Sequence, residues 1–177
     1  MQPAPRICLT LIALFFFMAC GPSSDFKATL AKAQSGEPKA QLEVATMYLE
    51  GKGVKQSDAE GTRWCKDAAQ QGYAPAQRTY GTMLMIGGAV NRNRAQGREW
   101  LEKAARQNDA LAQAELAGTL GLFQPPFEFV EALKWAILAE KNGATNAPTL
   151  RKLIEPQMSA SEISQARSKA ADFGNDK

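Results

Sequence analysis

The sequence predicts an all-α fold, an α/α superhelix (solenoid) of about three helix-turn-helix repeats with capping helices. The first observation is that Trp64, Trp100 and Trp135 are separated by 36 and 35 residues, which indicates an internal repeat. The second is that helix-forming residues dominate beyond residue 20, whereas runs of valine, isoleucine and threonine are nearly absent. Because one such unit cannot bury its own apolar face, we expect the units to stack on one another.

Other residues recur with the same period. An alanine followed by glutamine appears three times, as Ala40-Gln41, Ala76-Gln77 and Ala112-Gln113. A small residue stands three positions before each tryptophan, at Gly61, Gly97 and Ala132. We expect small and aromatic side chains to build the interior of the repeats, with Trp64, Trp100, Trp135, Ala68, Ala104 and Ala139 as the repeat-forming set.

Each unit divides into two helices. In the first, Ala40, Val44, Met47 and Tyr48 fall on one stripe at helical spacing. A glycine-rich turn follows, except in the third unit, where two prolines predict a shorter and stiffer loop. Helix-capping residues mark the start of the second helices, at Ser57, Asn93 and Glu128. Residues that tolerate a left-handed backbone mark their ends, at Gly72, Asn108 and Gly143.

The first twenty residues resemble an export signal. Arg6 precedes an apolar stretch, residues 7–19, that is too short to span a bilayer as a helix. The sequence Phe17-Met18-Ala19-Cys20 resembles the bacterial lipobox, which implies cleavage before Cys20 and lipidation of that cysteine. The alternative is an ordinary signal cut near Ala19. Since Gly21 replaces the aspartate that commonly retains lipoproteins in the inner membrane, the resemblance implies the outer membrane, on its periplasmic face.

Cysteine use fits this interpretation. Cys8 would leave with the signal and Cys20 would carry lipid, so Cys65 would remain alone in an oxidising compartment. Cys65 follows Trp64 within a predicted helix, and we expect a small buried side chain. A disulfide with another chain is the alternative.

The repeated pattern resembles the Sel-1-like repeat, a relative of the tetratricopeptide repeat with a slightly longer unit. The motif A-x-x-x-L-G-x-x-Y-x-x-G-x-G-V, followed by a cap and A-x-x-W-x-x-K-A-A-x-x-G, carries the resemblance. The predicted segments are a signal peptide (1–19), a lipidated terminus and tether (20–24), an N-terminal capping helix (25–39), repeats one to three (40–75, 76–111 and 112–146), and C-terminal capping helices with a tail (147–177). Ser159 and Glu162 form a predicted capping box for the last helix.

The composition argues against an enzyme. With no histidine in the chain, a Ser-His-Asp or Cys-His arrangement is impossible, and no spacing suggests a metal site or a cofactor site. Ser24 and Lys27 form the S-x-x-K spacing of penicillin-binding enzymes and β-lactamases, but they lie in the predicted tether, so this pair is the weaker interpretation. The net charge of +3, about +2 without Arg6, is too small to indicate nucleic-acid binding.

The resemblance implies that a partner protein binds the surface lined by the first helices. In this register the surface carries Leu42, Thr46 and Leu49 in repeat one, Arg78, Thr82 and Met85 in repeat two, and Ala114, Gly118 and Gly121 in repeat three. We expect Leu49, Met85 and Arg78 to be contact residues, since exposed apolar groups beside an arginine are typical of contact centres. Phe123 and Phe127 are a second candidate, or they pack under their own loop. A basic edge of Arg92, Arg94, Arg98 and Arg106 is either a solvated face or a docking surface for acidic groups.

The sequence therefore predicts a periplasm-facing, lipid-anchored scaffold that binds another protein. Two roles fit the resemblance: an immunity protein that blocks a toxin delivered by a type VI secretion system, and an assembly or regulatory scaffold for an envelope or exopolysaccharide complex. A cell-wall-acting enzyme is disfavoured by the missing catalytic groups.

Overall fold

A computed structural model describes residues 21–123 and 125–174 of the chain. Within these ranges the chain forms helices and no strand, which confirms the predicted fold class. The α-helices are α1 (Ser24–Gln34), α2 (Pro38–Glu50), α3 (Asp58–Gln70), α4 (Ala74–Ile86), α5 (Arg94–Arg106), α6 (Ala110–Gly118), α7 (Phe129–Lys141), α8 (Ala147–Ile154) and α9 (Ala160–Asp172). A π-helical turn, Thr119–Phe123, extends α6, and a 3₁₀ turn, Glu155–Gln157, follows α8. The signal segment and Cys20 lie outside the described residues.

Three helical hairpins, α2–α3, α4–α5 and α6–α7, form the repeats, and most helices pack chiefly on their neighbours in the chain. At the C-terminal end α8 packs on α6 and α7, and α9 packs on α7. The N-terminal end is covered by α1, which packs on α2. Since every repeat buries its apolar side against the next, the stack is continuous, as a solenoid requires.

The helix caps follow the sequence pattern closely. The hydroxyl of Ser57 accepts a hydrogen bond from the Glu60 N–H at 3.3 Å, and the Asn93 carboxamide oxygen accepts one from the Gln96 N–H at 3.1 Å. The predicted ends have left-handed backbones, with φ of +88° at Gly72 and +66° at Asn108. These caps confirm where the second helices of repeats one and two begin and end.

The first helices begin two residues earlier than the sequence boundaries suggested. They start at Pro38, Ala74 and Ala110, because proline suits the first turn of a helix and α2 and α4 each carry one there. The leading helix likewise starts at Ser24, one residue before the predicted N-terminal capping helix (25–39). The Ser23 hydroxyl accepts a hydrogen bond from the Phe26 N–H. Ser24 therefore belongs to α1 and not to a tether.

Repeat three departs from the predicted loop. Leu122 and Phe123, expected in the loop, belong to the π-helical turn that continues α6. An added Cβ at Gly118 would lie 2.8 Å from the Phe123 ring, and one at Gly121 would lie 2.9 Å from the Ala132 Cβ. Two glycines thus leave room for the wider turn, which shifts the chain reversal to the proline segment.

The interior is built from the residues that the repeat pattern singled out. Ala68, Ala104 and Ala139 are fully buried, and so is Cys65. Trp64 and Trp135 are buried as well. Trp100 is half-buried and contacts the Tyr80 ring edge-on, with 5.7 Å between ring centroids. These side chains therefore lie in the interior of the repeats, with Trp100 at its margin.

A buried glutamine links each repeat to the one before it. The side-chain amides of Gln41, Gln77 and Gln113 each donate a hydrogen bond to a main-chain oxygen eight residues earlier, at 3.2, 3.2 and 3.0 Å. These acceptors lie near the ends of the preceding second helices, at Ala33, Ala69 and Ala105. Each acceptor carbonyl also accepts a main-chain hydrogen bond, from Gly36, Gly72 or Asn108, so the glutamine amide uses the second acceptor position of that oxygen.

The same glutamines also hold the second helix of their own repeat. Their carboxamide oxygens accept hydrogen bonds from Gln71, Gln107 and Asn142, at 2.7, 2.7 and 2.9 Å. Each donor is the last residue before the left-handed position that ends its helix. One side chain therefore connects three helices, which explains the glutamine column of the sequence.

Replacing Gln113 with leucine should lower the free energy of unfolding by about 1–3 kcal/mol. The change removes the buried hydrogen bond to the Ala105 carbonyl oxygen and the one that the Asn142 side chain donates, and both bonds hold neighbouring helices together. Urea titration followed by far-ultraviolet circular dichroism measures the loss. Gln96→Leu, on the exposed face of α5, is the matched control and should stay within about 0.5 kcal/mol of the parent. Equal stabilities of the two variants would contradict the role of the buried amide.

Candidate functional site

Several residues of the predicted partner surface already form contacts within the stack of helices. Arg78 forms ion pairs with Asp109 at 3.4 Å and with Glu115 at 3.6 Å. Thr82 donates a hydrogen bond to Glu115 at 2.6 Å, across the junction of repeats two and three. Arg78 therefore forms contacts within that junction, and its role as a partner contact stays a prediction.

Leu49 and Met85 are half-buried rather than exposed. An added Cβ at Gly61 would lie 2.6 Å from the Leu49 Cγ, and one at Gly97 would lie 2.8 Å from the Met85 Cγ. The small residue before each tryptophan thus makes room for these side chains at the crossing of two helices. Their main contacts are consequently inside their own repeats.

In repeat three the predicted surface is closed. Gly118 is buried, together with Ala114 and Gly121, and the Phe123 ring covers Gly118. The expectation that Gly118 lines an open surface was therefore wrong. In repeat one, Thr46 is exposed and Leu42 is half-buried against the interior. Of the predicted set, Thr82 and Met85 line a depression next to these buried positions, and Arg78 lines an adjoining one.

That depression has a volume of about 280 Å³ and lies where α4 faces α6 and the start of α5. Two adjoining depressions of about 270 Å³ each share residues with it, so that together they form one groove, called here the α4–α6 groove. The central depression is lined by Thr82, Met85, Ile86, Arg94, Leu101, Glu115, Thr119 and Phe123. Its wall is largely apolar, with a carboxylate and a hydroxyl already bonded to each other.

Two exposed aromatic residues stand near this groove. Phe123 is exposed at its rim, where its ring edge also covers Gly118. Phe127 is exposed in the loop that follows and stacks on Phe129, with 5.4 Å between ring centroids. Neither ring is buried under the loop, so both stay available as contact residues.

The basic edge divides into paired and unpaired arginines. Arg98 binds both carboxylate oxygens of Glu128, one of them at 2.9 Å, and also pairs with Glu102. Hydrogen bonding to this guanidinium lowers the pKa of Glu128 below its ordinary value. Glu128 is therefore engaged across the repeat junction instead of capping α7 with its side chain. Arg92 and Arg94 are exposed, and Arg94 lines the groove.

The described residues show no assembled catalytic centre. Ser24 and Lys27 are both exposed in the first turns of α1. Residues 21–123 and 125–174 contain no cluster of three or more carboxylate or thiol side chains that could hold a metal ion. None of their helices is long and apolar enough to cross a membrane.

Sequence reasoning missed two sets of contacts, one between the stacked helices and one in the groove. The buried glutamines were visible as a repeated column, but their hydrogen bonds depend on the stacking of helices. Glu115 lies one turn before the predicted surface residue Gly118. An acidic residue on that face was the one sequence feature that could have indicated a contact there. Its pairing with Arg78 and Thr82 follows from the packing of α6 beside α4.

The Sel1 repeat family model matches residues 38–73, 74–109 and 110–143, well over half of the chain. The chain belongs to the Sel1 repeat family. Sel1 repeat proteins generally act as scaffolds for protein–protein interactions and are typically not enzymes. The matched ranges begin at the same residues as α2, α4 and α6, two residues before the predicted boundaries.

Two solved structures are similar to this Sel1 repeat chain. A Sel1 repeat protein from Oxalobacter formigenes is 30% identical over 72% of this chain and 97% of its own, with a TM-score of 0.65. The protective antigen c5321 of uropathogenic Escherichia coli, which displays an SLR fold, is 24% identical over 84% of this chain, with a TM-score of 0.75. This chain spans 32% of that antigen, and the likeness shows the fold alone. The comparison with curated proteins gave no match.

Cys65 should resist thiol reagents while the protein is folded. Burial raises its pKa to about 12, and its Sγ lies 3.7 Å from the Ala76 carbonyl oxygen. At pH 8 the thiol therefore stays protonated, and the side chain is inaccessible as well. Iodoacetamide labelling followed by mass spectrometry should modify Cys65 in urea and leave it unmodified in buffer. Rapid labelling of the folded chain would contradict this burial.

Proposed function

We propose that this chain is a lipid-anchored scaffold on the periplasmic face of the bacterial outer membrane that binds another protein through the α4–α6 groove. Two lines support the proposal. The chain belongs to a family of scaffolds, and Phe17-Met18-Ala19-Cys20 resembles a lipobox. The groove supplies the binding surface.

The observation that carries the binding proposal is an open, largely apolar groove in which Arg78, Thr82 and Glu115 are already bonded to one another. Thr82 bonds to Glu115, and Arg78 pairs with the same carboxylate, so the wall needs little rearrangement before a partner binds. A pre-organised surface lowers the entropic cost of association. Exposed Ile86 and Phe123 at the rim add apolar area of the kind that anchors a partner segment.

Two biological roles remain open for such a scaffold. The first is an immunity protein that captures a toxin delivered by a type VI secretion system, and an anchored protein at the target membrane suits that role. The second is an assembly or regulatory scaffold for an envelope or exopolysaccharide complex. The identity of the captured partner decides between them, since a toxic enzyme favours the first and a resident envelope protein favours the second.

Changing Thr82 to arginine should abolish partner binding. The long side chain would occupy the groove beside Glu115, whereas the exposed ends of α4 stay as they are. With a photo-crosslinking residue in place of Thr119 on the groove wall, living cells should yield one main crosslinked partner, identified by mass spectrometry. Thr82→Arg should reduce that product at least about ten-fold, the loss expected for a contact centre.

Thr46→Arg is the matched control for this experiment. It places the same side chain one repeat earlier, where Thr46 is exposed, and it should leave the crosslink yield unchanged. Similar yields from the parent and from Thr82→Arg would overturn the groove as the binding site. If the partner is a toxin, cells that carry Thr82→Arg should also lose protection against it.

The anchor has its own test. Mass spectrometry of the intact chain purified from membranes should show a mature form that begins at Cys20 and carries the added mass of several acyl chains. Cys20→Ser should abolish this product, because the thiol that accepts the lipid is missing. A mature chain that begins at residue 20 or later without added mass would contradict the lipid anchor and favour an ordinary signal.

A further inference from the structure

We propose that one edge of the solenoid lies flat against the membrane and contacts anionic phospholipid. This edge, called here the loop edge, consists of loops 51–57, 87–93 and 125–128, which join the two helices of each repeat, and of the adjacent C-terminal end of α8. The proposal rests on the lipid anchor at Cys20 put forward above, and adds how the folded part is oriented relative to the bilayer.

The N-terminal chain is fixed to this edge. The Ser23 N–H donates a hydrogen bond to the Gly53 carbonyl oxygen at 2.7 Å. An added Cβ at Gly53 would lie 2.2 Å from the Ser23 Oγ, so the two segments are in direct contact. Phe26, in the next turn, is buried and contacts the Tyr48 ring edge-on. The chain that leads to the lipid therefore leaves the fold at loop 51–57.

The remaining connection is short. Three residue steps separate Cys20 from Ser23, a reach of at most roughly 11 Å. The polar headgroup layer of one leaflet is itself roughly 5–8 Å thick, the difference between the whole bilayer and its hydrocarbon core shared over two sides. With the acyl chains in the hydrocarbon, loop 51–57 lies within or directly above the headgroups.

Exposed apolar side chains gather at the same edge. Among the described residues, five large hydrophobic side chains are exposed: Ile86 (72%), Phe123 (70%), Phe127 (45%), Leu153 (51%) and Leu111 (51%). The first three stand at ends of helices or loops that form the loop edge. Leu153 lies near the C-terminal end of α8, which also belongs to the loop edge. The last residue of α8, Ile154, locates this end beside the π-helical turn, because its side chain would lie 3.0 Å from a Cβ added at Gly121. Leu111, at the start of α6, is the exception.

Four apolar side chains at one edge are unfavourable in water and favourable at a lipid interface, where amphipathic surfaces bury such groups. Phe127 and Leu153 stay available to lipid when a partner segment covers Ile86 and Phe123 in the groove. The four side chains lie toward repeats two and three, whereas the anchor attaches at repeat one. Two separated attachment points would prevent the solenoid from tilting away from the bilayer about its anchor.

Cations accompany Ile86 in repeat two, whereas the surface beside Phe127 carries the carboxylates of Glu128, Glu131 and Glu162. Loop 87–93 carries exposed Arg92 and no acidic residue, and exposed Arg94 follows at the start of α5. The only carboxylate of loop 125–128 is Glu128, which is paired with Arg98. At loop 51–57 the charges are mixed, because Lys52 and Lys55 lie between Glu50 and Asp58. Attraction to anionic headgroups is therefore expected chiefly beneath repeat two.

The test uses the full chain, expressed with its own N-terminal segment, purified with its lipid and reconstituted into vesicles of phosphatidylethanolamine and phosphatidylglycerol. Asn91→Cys places a fluorescent dye in loop 87–93, and Thr145→Cys places it in the turn between α7 and α8 at the opposite edge. Buried Cys65 does not compete for the dye. Nitroxide-bearing lipid should quench the dye at residue 91 at least about three-fold more than at residue 145.

Matched variants test the side chains. Phe127→Ser with Leu153→Ser should reduce quenching at residue 91, because both remove apolar contacts at the loop edge and neither lies in the central depression of the groove. Leu111→Ser, an equally exposed apolar residue away from the edge, should leave quenching unchanged. Vesicles of phosphatidylcholine alone should also give less quenching, since Arg92 and Arg94 then have no anionic headgroup to contact.

The outcomes separate the two proposals. An acylated, vesicle-bound chain with equal quenching at residues 91 and 145 would overturn the orientation and leave the anchor intact. A chain without acyl mass would contradict the anchor itself. Quenching that is high at residue 91 but unaffected by Phe127→Ser with Leu153→Ser would overturn the apolar contact.

Discussion

The stack depends on one buried amide per repeat that binds at both of its ends. Gln77 donates to a helix-end carbonyl of the repeat before it and accepts from Gln107, which ends the second helix of its own repeat. A buried amide without partners would cost free energy, so helices that shifted relative to one another would lose both bonds together. Contacts between alanine side chains alone have no preferred direction, so the helices could slide along one another. The glutamine gives each junction a defined position, and repetition of the residue repeats the geometry.

The third repeat is where this regularity weakens and where the candidate site lies. A π-helical turn and two prolines replace the glycine turn, and Phe123 is exposed beside the groove as a result. Two ion-pair groups, Arg78 with Asp109 and Glu115 and Arg98 with Glu128, hold repeats two and three together around that groove. Surface ion pairs contribute little to stability, but here they fix the walls of a depression. A local departure from the repeat thus contributes Phe123 and Thr119 to the wall of the groove.

Binding and anchoring are compatible in this arrangement. The end of the groove marked by Ile86 and Phe123 opens on the loop edge, so a partner segment bound there would lie close to the bilayer if that edge faces lipid. A partner that is itself attached to the membrane, or that acts on it, would meet the scaffold in this position. The cost of bringing the two together is lower when both are confined to one surface, because confinement raises their effective concentration.

The sequence by itself determined the helical class, the period, the helix ends at Ser57 and Gly72 and the burial of Trp64 and Cys65, because these depend on local spacing and capping chemistry. Only the tertiary structure decided the state of the predicted contact residues. Arg78 is paired with Glu115 of the next repeat, and Gly118 is covered by Phe123 of an irregular turn. Periodicity describes which face of a helix a residue occupies. Whether its side chain is already paired or covered depends on how two repeats pack against each other.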